Sequence, residues 1–235
     1  MERKSLVATG ATNGQVLTWD MHVAKKAPHR KFAEHSKQVV KVSWFGKSEP
    51  ELLGSASLDG SVKLWDMRKA SSLYTISPRC DGARELAFDP FGAEGLGAGG
   101  NGTYMAIAFD NGSVHAYDTR FLHRPVKDIP VAHSGLIMAM QWHPDLPGII
   151  ATGGRDKNIK VWELYGSCFD SSSFFRSEKN RQAQTSDSGI QPLVHLETIF
   201  NIGRLAWRPG CPSKCHAFSF FALLTTISGE FYCIN

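Results

Sequence analysis

The sequence predicts an all-β chain assembled from a repeated antiparallel unit, and three observations carry that expectation. A pattern of small residues, a turn dipeptide and an alternating strand closed by an aromatic recurs at Ala8–Asp20, Gly54–Asp66, Ala106–Asp118 and Ala151–Glu163. The closing aromatics Trp19, Trp65, Tyr117 and Trp162 stand 46, 52 and 45 residues apart. The 22 glycines among 235 residues suit a fold with many tight turns.

Each repeat reads as a hairpin. A small-residue strand runs into Asn13-Gly14, Asp59-Gly60, Asn111-Gly112 or Lys157-Asn158, where glycine or asparagine would supply the positive φ of a tight turn. The following strand alternates, with Val62 and Leu64 on one parity and Lys63 and Trp65 on the other. Large residues on both parities fit a sheet packed through both faces. A period near 45 residues is that of a four-stranded propeller blade, roughly 40–45 residues. The expected architecture is therefore a WD-type β-propeller with about four recognisable blades, a partial fifth and an incomplete ring.

Domain boundaries follow from composition. Residues 1–165 carry the four repeats. Residues 166–192, with Ser171–Ser173 and Arg181–Thr185, read as a disordered Ser/Gln-rich insertion. Its serines are candidates for phosphorylation, against the plainer reading of a solvated loop. Residues 193–235 read as a partial fifth blade, because Thr198–Pro209 echoes Leu136–Pro144 and Val39–Trp44, strands that end in an aromatic. The glycine-rich stretch Phe91–Thr103 reads as a linker within the third blade. It lacks the Gly-Lys-Ser/Thr and helix opening of a phosphate-binding loop.

A second layer of the repeat is polar. Asn13, Asp59, Asn111 and Asp156 lie six residues before the anchors, and Thr9, Ser55, Ile107 and Thr152 lie four earlier. His35 and His133 precede Trp65 and Trp162 by about thirty residues. The sets His35, Ser55, Asp59, Trp65 and His133, Thr152, Asp156, Trp162 resemble the hydrogen-bonded tetrads of WD blades. The Tyr117 repeat lacks the tryptophan and the hydroxyl residue, so an altered network is expected there. A Ser-His-Asp set suggests a catalytic triad, but a set that recurs beside a tryptophan reads as a buried structural network.

Composition narrows function. Formal net charge is +4, without a long Lys/Arg run, so no nucleic-acid partner is expected; Lys25, Lys26, His29, Arg30 and Lys31 read as a solvated inter-blade loop. Cys80, Cys168, Cys211, Cys215 and Cys233 are an odd, unevenly spaced set, favouring a reducing, cytoplasmic setting. Cys211, Cys215, His216 and Cys233 lack paired zinc-ligand spacing, and no metal or cofactor is expected. Neither a signal peptide nor a membrane-crossing run is legible, so no direct membrane insertion is expected.

A closer resemblance rests on Ala8–Trp19, Phe32–His35, Trp142–Pro144, Ala151–Trp162 and the stretch from Glu197 to Pro209. Together these resemble the WD-repeat subunits that carry a C-terminal zinc-binding domain in the GATOR/SEA complex. The WD-repeat likeness covers most of residues 6 to 209. It implies a non-enzymatic scaffold, other WD-repeat subunits as partners, and a role in amino-acid-dependent TOR regulation and autophagy. It also implies peripheral placement at the lysosomal or vacuolar membrane through those partners. Against that family the chain is expected to start after a first blade, end inside the fifth and lack the zinc domain. An open array would expose blade edges and lower solubility. The alternative expectation is a substrate receptor for a cullin-type ubiquitin ligase, with Arg68 and Arg120 of Asp66-Met-Arg68 and Asp118-Thr-Arg120 binding the adaptor.

Overall fold

The computed structural model describes residues 6–22, 27–45, 52–78, 81–91, 104–144, 146–165 and 190–207, together with short strand segments between 220 and 232. Every described element is β. Strands β1 (Leu6–Gly10), β2 (Val16–Asp20) and β3 (Arg30–Phe32) form a three-stranded antiparallel sheet. The second sheet orders β4 (Val39–Trp44), β5 (Leu52–Ser57), β6 (Val62–Asp66) and β7 (Ser72–Ile76) side by side. The third holds β8 (Ala83–Phe88), β9 (Tyr104–Phe109), β10 (Val114–Asp118) and β11 (Lys127–Ile129). The fourth holds β12 (Ile137–Trp142), β13 (Ile149–Gly154), β14 (Asn158–Glu163) and β15 (Val194–Glu197). Two short pairs follow, β16 (Ala206–Trp207) with β17 (Phe220–Phe221), and β18 (Leu224–Thr225) with β19 (Phe231–Tyr232).

These are propeller blades in an open arc, and the core lies between them. Val16 and Phe32 of the first sheet pack on Val39, Leu53 and Trp65 of the second. Val62, Leu64 and Ile76 of the second pack on Leu86, Met105, Ile107 and Tyr117 of the third. Val114, Ala116 and Ile129 of the third pack on Ile137, Trp142, Ile150 and Trp162 of the fourth. Period-2 alternation thus sends one parity of each blade to the preceding neighbour and the other parity to the following one. Trp65 and Trp162 face backward; Val62, Leu64 and Val161 face forward. Gly54 belongs to this seam, because a Cβ there would meet the side chains of Leu86 and Phe88.

The innermost strands are linked by a further device. Trp142 donates its indole N–H to the Ala87 carbonyl of β8 at 3.0 Å, and Trp207 donates to the Gln141 carbonyl of β12 at 3.2 Å. In these two strands the closing tryptophan, legible only as a pattern in the sequence, is a hydrogen-bond hook onto the preceding blade.

Two details differ from the sequence reading. Val194–Glu197 hydrogen-bonds to β14 as the last strand of the fourth sheet, whereas the sequence placed it in the fifth blade. The repeat and the blade are out of phase, since the strand after each anchor still belongs to the anchor's own sheet. In the fourth turn Lys157, not Asn158, takes the positive φ, at 64°. Register decides this: Lys157 occupies the place of Gly60 and Gly112, with φ of 83° and 81°, while Asn158 already opens β14. The glycine-rich stretch 92–103, the bulk of the Ser/Gln-rich insertion and all five cysteines lie outside the described residues.

Candidate interaction faces and the buried tetrads

All four hairpin turns are built the same way. The side-chain oxygen of Asn13, Asp59, Asn111 or Asp156 accepts from the backbone N–H two residues on, at 3.2, 2.8, 3.0 and 3.1 Å. Asparagine suffices for that turn. Only in the second and fourth blades is the residue an aspartate, and there its carboxylate also meets a histidine.

In the second blade the Trp65 indole N–H donates to Ser55 Oγ at 2.8 Å, and Ser55 Oγ lies 2.7 Å from His35 Nε2. His35 Nδ1 lies 3.0 Å from Asp59 Oδ2, which also accepts from Ser36 N–H at 3.0 Å. One proton assignment satisfies the chain: indole to hydroxyl, hydroxyl to Nε2, and Nδ1–H to carboxylate. The fourth blade repeats it, with Trp162 to Thr152 at 2.9 Å, Thr152 to His133 at 2.8 Å, and His133 Nδ1 to Asp156 at 2.9 Å. The ring of Trp65 also stacks on Phe32 at 4.7 Å, tying the network to the preceding blade.

Burial sets the electrostatics. Desolvation holds both histidines below their ordinary pKa, and the neighbouring aspartates only partly oppose it. Burial acts to raise Asp59 too, but hydrogen bonds from Ser61, Ser36 and His35 outweigh it and hold its carboxyl at about 2. The side chains of His35 and His133 are fully inaccessible to solvent. The serine and threonine hydroxyls are equally buried and each already accepts an indole N–H. A substrate carbonyl has no approach to either set, so the arrangement offers no nucleophilic chemistry.

The other two repeats depart from this pattern. Trp19 donates to Thr9 at 3.1 Å in an exposed setting. In the third blade Ile107 and Tyr117 are buried in the apolar seam, and His115 enters with Nε2 3.2 Å from Asp128.

The strand order fixes two loop-bearing ends. One end carries the Asx turns and the links between blades, including His35 and His133. The opposite end carries the loops after β6 and β10, with Arg68 and Arg120. Each of these arginines closes on the aspartate two residues before it, Arg68 on Asp66 at 3.0 Å and Arg120 on Asp118 at 2.6 Å. Hydrogen bonds from Arg68 and Arg120 pull both carboxyls below the usual range. Among the described residues no group of three or more His, Cys, Asp or Glu is placed to hold a metal ion. No helix among them is long and apolar enough to cross a membrane.

The family model for the WD domain, G-beta repeat, matches residues 26–66 and 124–163, the two segments that contain the complete tetrads. The chain carries two WD repeats. This WD-repeat chain is 32% identical over 212 residues to GATOR2 complex protein WDR24 of Homo sapiens, covering 88% of the chain and 22% of that relative. It is 31% identical over 210 residues to the same protein of Danio rerio. It is also 27% identical over 225 residues to Restriction of telomere capping protein 1 of Eremothecium gossypii, 16% of whose length it covers. The chain thus spans about a fifth of the length of the GATOR2 relatives. A chain in the crystal structure of a mitotic checkpoint complex shares its fold, with a TM-score of 0.64 over 87% of this chain and 51% of that one, at 20% identity.

Proposed function

We propose that this WD-repeat chain is a non-enzymatic interaction scaffold acting as part of a GATOR2-type complex, in amino-acid-dependent regulation of TOR signalling and autophagy. The single observation that carries the proposal is the likeness to GATOR2 complex protein WDR24 over 88% of the chain. Its partners are other WD-repeat subunits of such a complex, and through them it reaches the lysosomal or vacuolar membrane from the cytoplasm. The two tetrads serve this role indirectly. They pin strand register so that the loops at both blade ends keep fixed positions. Residues 1–165 together with Val194–Glu197 provide the blades, joined by an inserted loop and followed by the start of a further blade.

Tagging the chain in its own cells and identifying co-purifying proteins by mass spectrometry tests the proposal. Stoichiometric recovery of other GATOR2-type subunits is the expected result. A cullin adaptor, lost on Arg68→Ala or Arg120→Ala, would replace the proposal with the ligase-receptor reading. Recovery of chaperones alone would sink both.

A further inference from the structure

We propose that the loop between β10 and β11 is a docking site for an acidic protein segment bearing one large apolar side chain. The loop is held rigidly. Phe121 N–H donates to the Asp118 carbonyl at 2.9 Å, Leu122 packs into the seam between the second and third blades, and Val126 N–H donates to the Ala116 carbonyl at 2.7 Å. What this frame displays is apolar and basic. The Phe121 residue is 64% exposed and Val126 is 53% exposed. With Arg124 and Pro125 they line an open cleft of about 380 Å³, room for one large side chain.

Charge selects the occupant. Residues 119–127 contain Arg120, His123, Arg124 and Lys127 and no carboxylate. The flanking acids are already engaged, Asp118 by Arg120 and Asp128 by His115. Arg120 is fixed by donating its Nε and one terminal nitrogen to Asp118, and its side chain stays 43% exposed. The same guanidinium lies 5.9 Å from the centre of the Phe121 ring. Arg124 and Lys127 hold no ion pair among the described residues. An apolar notch with Arg124 in its lining, on a loop that also carries Arg120 and Lys127, fits an apolar anchor flanked by Asp or Glu. A concave notch on a pinned loop favours such a segment over a lipid surface, into which side chains would have to protrude. The proposal rests on the scaffold reading in general and not on which complex the chain joins.

The test uses the full chain and a fluorescent peptide of about ten residues, Asp and Glu alternating around one central Leu, read by anisotropy. Binding should weaken about tenfold or more with Phe121→Ala, with Arg124→Glu, and when the peptide's Leu becomes Gly. Both protein variants change exposed side chains, and unchanged thermal melting verifies that they fold. No binding to the wild type, or equal binding to both variants, overturns the proposal. Capture of phosphatidylserine–phosphatidylcholine vesicles with the same variant dependence, in place of the peptide, overturns it in favour of a membrane. Complex assembly in cells without peptide binding removes this site and leaves the scaffold; peptide binding without assembly does the reverse.

Discussion

Replacing Ser55 by alanine removes one hydroxyl from the second blade and strands two partners. Trp65 Nε1 loses its acceptor at 2.8 Å and His35 Nε2 its donor at 2.7 Å. Ser55, Trp65 and the side chain of His35 are fully buried, so water does not replace the lost group without rearrangement. A buried polar group left unsatisfied costs about 1–3 kcal/mol, which puts the loss for two at about 2–6 kcal/mol. For a chain of this size that corresponds to a fall in Tm of roughly 4–24 °C. Differential scanning calorimetry of the purified chain measures it, with two controls. Ser55→Thr keeps the hydroxyl, as Thr152 does in the fourth blade, and should recover most of the loss. Thr9→Ala breaks the equivalent exposed bond to Trp19 and should cost under about 0.5 kcal/mol. A Ser55→Ala loss no larger than that of Thr9→Ala would refute the reasoning, because burial and the His35 partner are what separate the two sites.

Four further outcomes are expected. His35, facing Asp59, Lys63 and Glu34, and His133, facing Asp156, Lys160 and His195, have folded pKa values held below the ordinary 6.5. The unfolded chain therefore binds more protons just below that pH, and Tm should drop on going from about pH 7.5 to about pH 6; a flat profile across this window would contradict it. Asp89 has the opposite sign. It is 2% exposed, one carboxylate oxygen lacks a partner among the described residues, and burial pushes its pKa from 3.8 to about 6. Its charge costs stability above that value, so Asp89→Asn should stabilise by at most about 3 kcal/mol near neutral pH. Denaturant titrations should show that gain shrinking as pH falls from about 6 towards 3.8. Gly112→Ala forces a Cβ at φ +81° against the His133 carbonyl, and should cost about 2 kcal/mol or more by urea unfolding. Arg68→Ala removes a side chain that is 69% exposed but spares the Arg68 N–H to Asp66 bond; Tm should stay within about 2 °C, and a larger fall would mean the turn depends on the ion pair.

The repeat was legible in the sequence because its causes are local. Asx turns, small strands and alternating apolar residues act over a few neighbours, so Asn13, Asp59, Asn111 and Asp156 announce themselves by spacing alone. The absence of a hydroxyl at Ile107 likewise marked the third blade as different. Other features needed the tertiary structure, since their partners come from other blades. Trp142 finds the Ala87 carbonyl 55 positions away, and nothing around either residue signals the pairing. Lys157 takes a left-handed backbone that its own chemistry disfavours, because the register of β13 on β14 leaves that place to no other residue. Val194–Glu197 joins the fourth sheet across a long insertion, a choice made by the open edge of β14 rather than by nearness in sequence. The sequence by itself determined the repeating unit and the residues of its polar network. Only the packing of one blade on the next decided which groups are buried, and with that their pKa values, the blade boundaries and the pinned basic–aromatic loop left facing solvent. Burial is a property of neighbours that the chain brings together from far apart, and local pattern does not encode it.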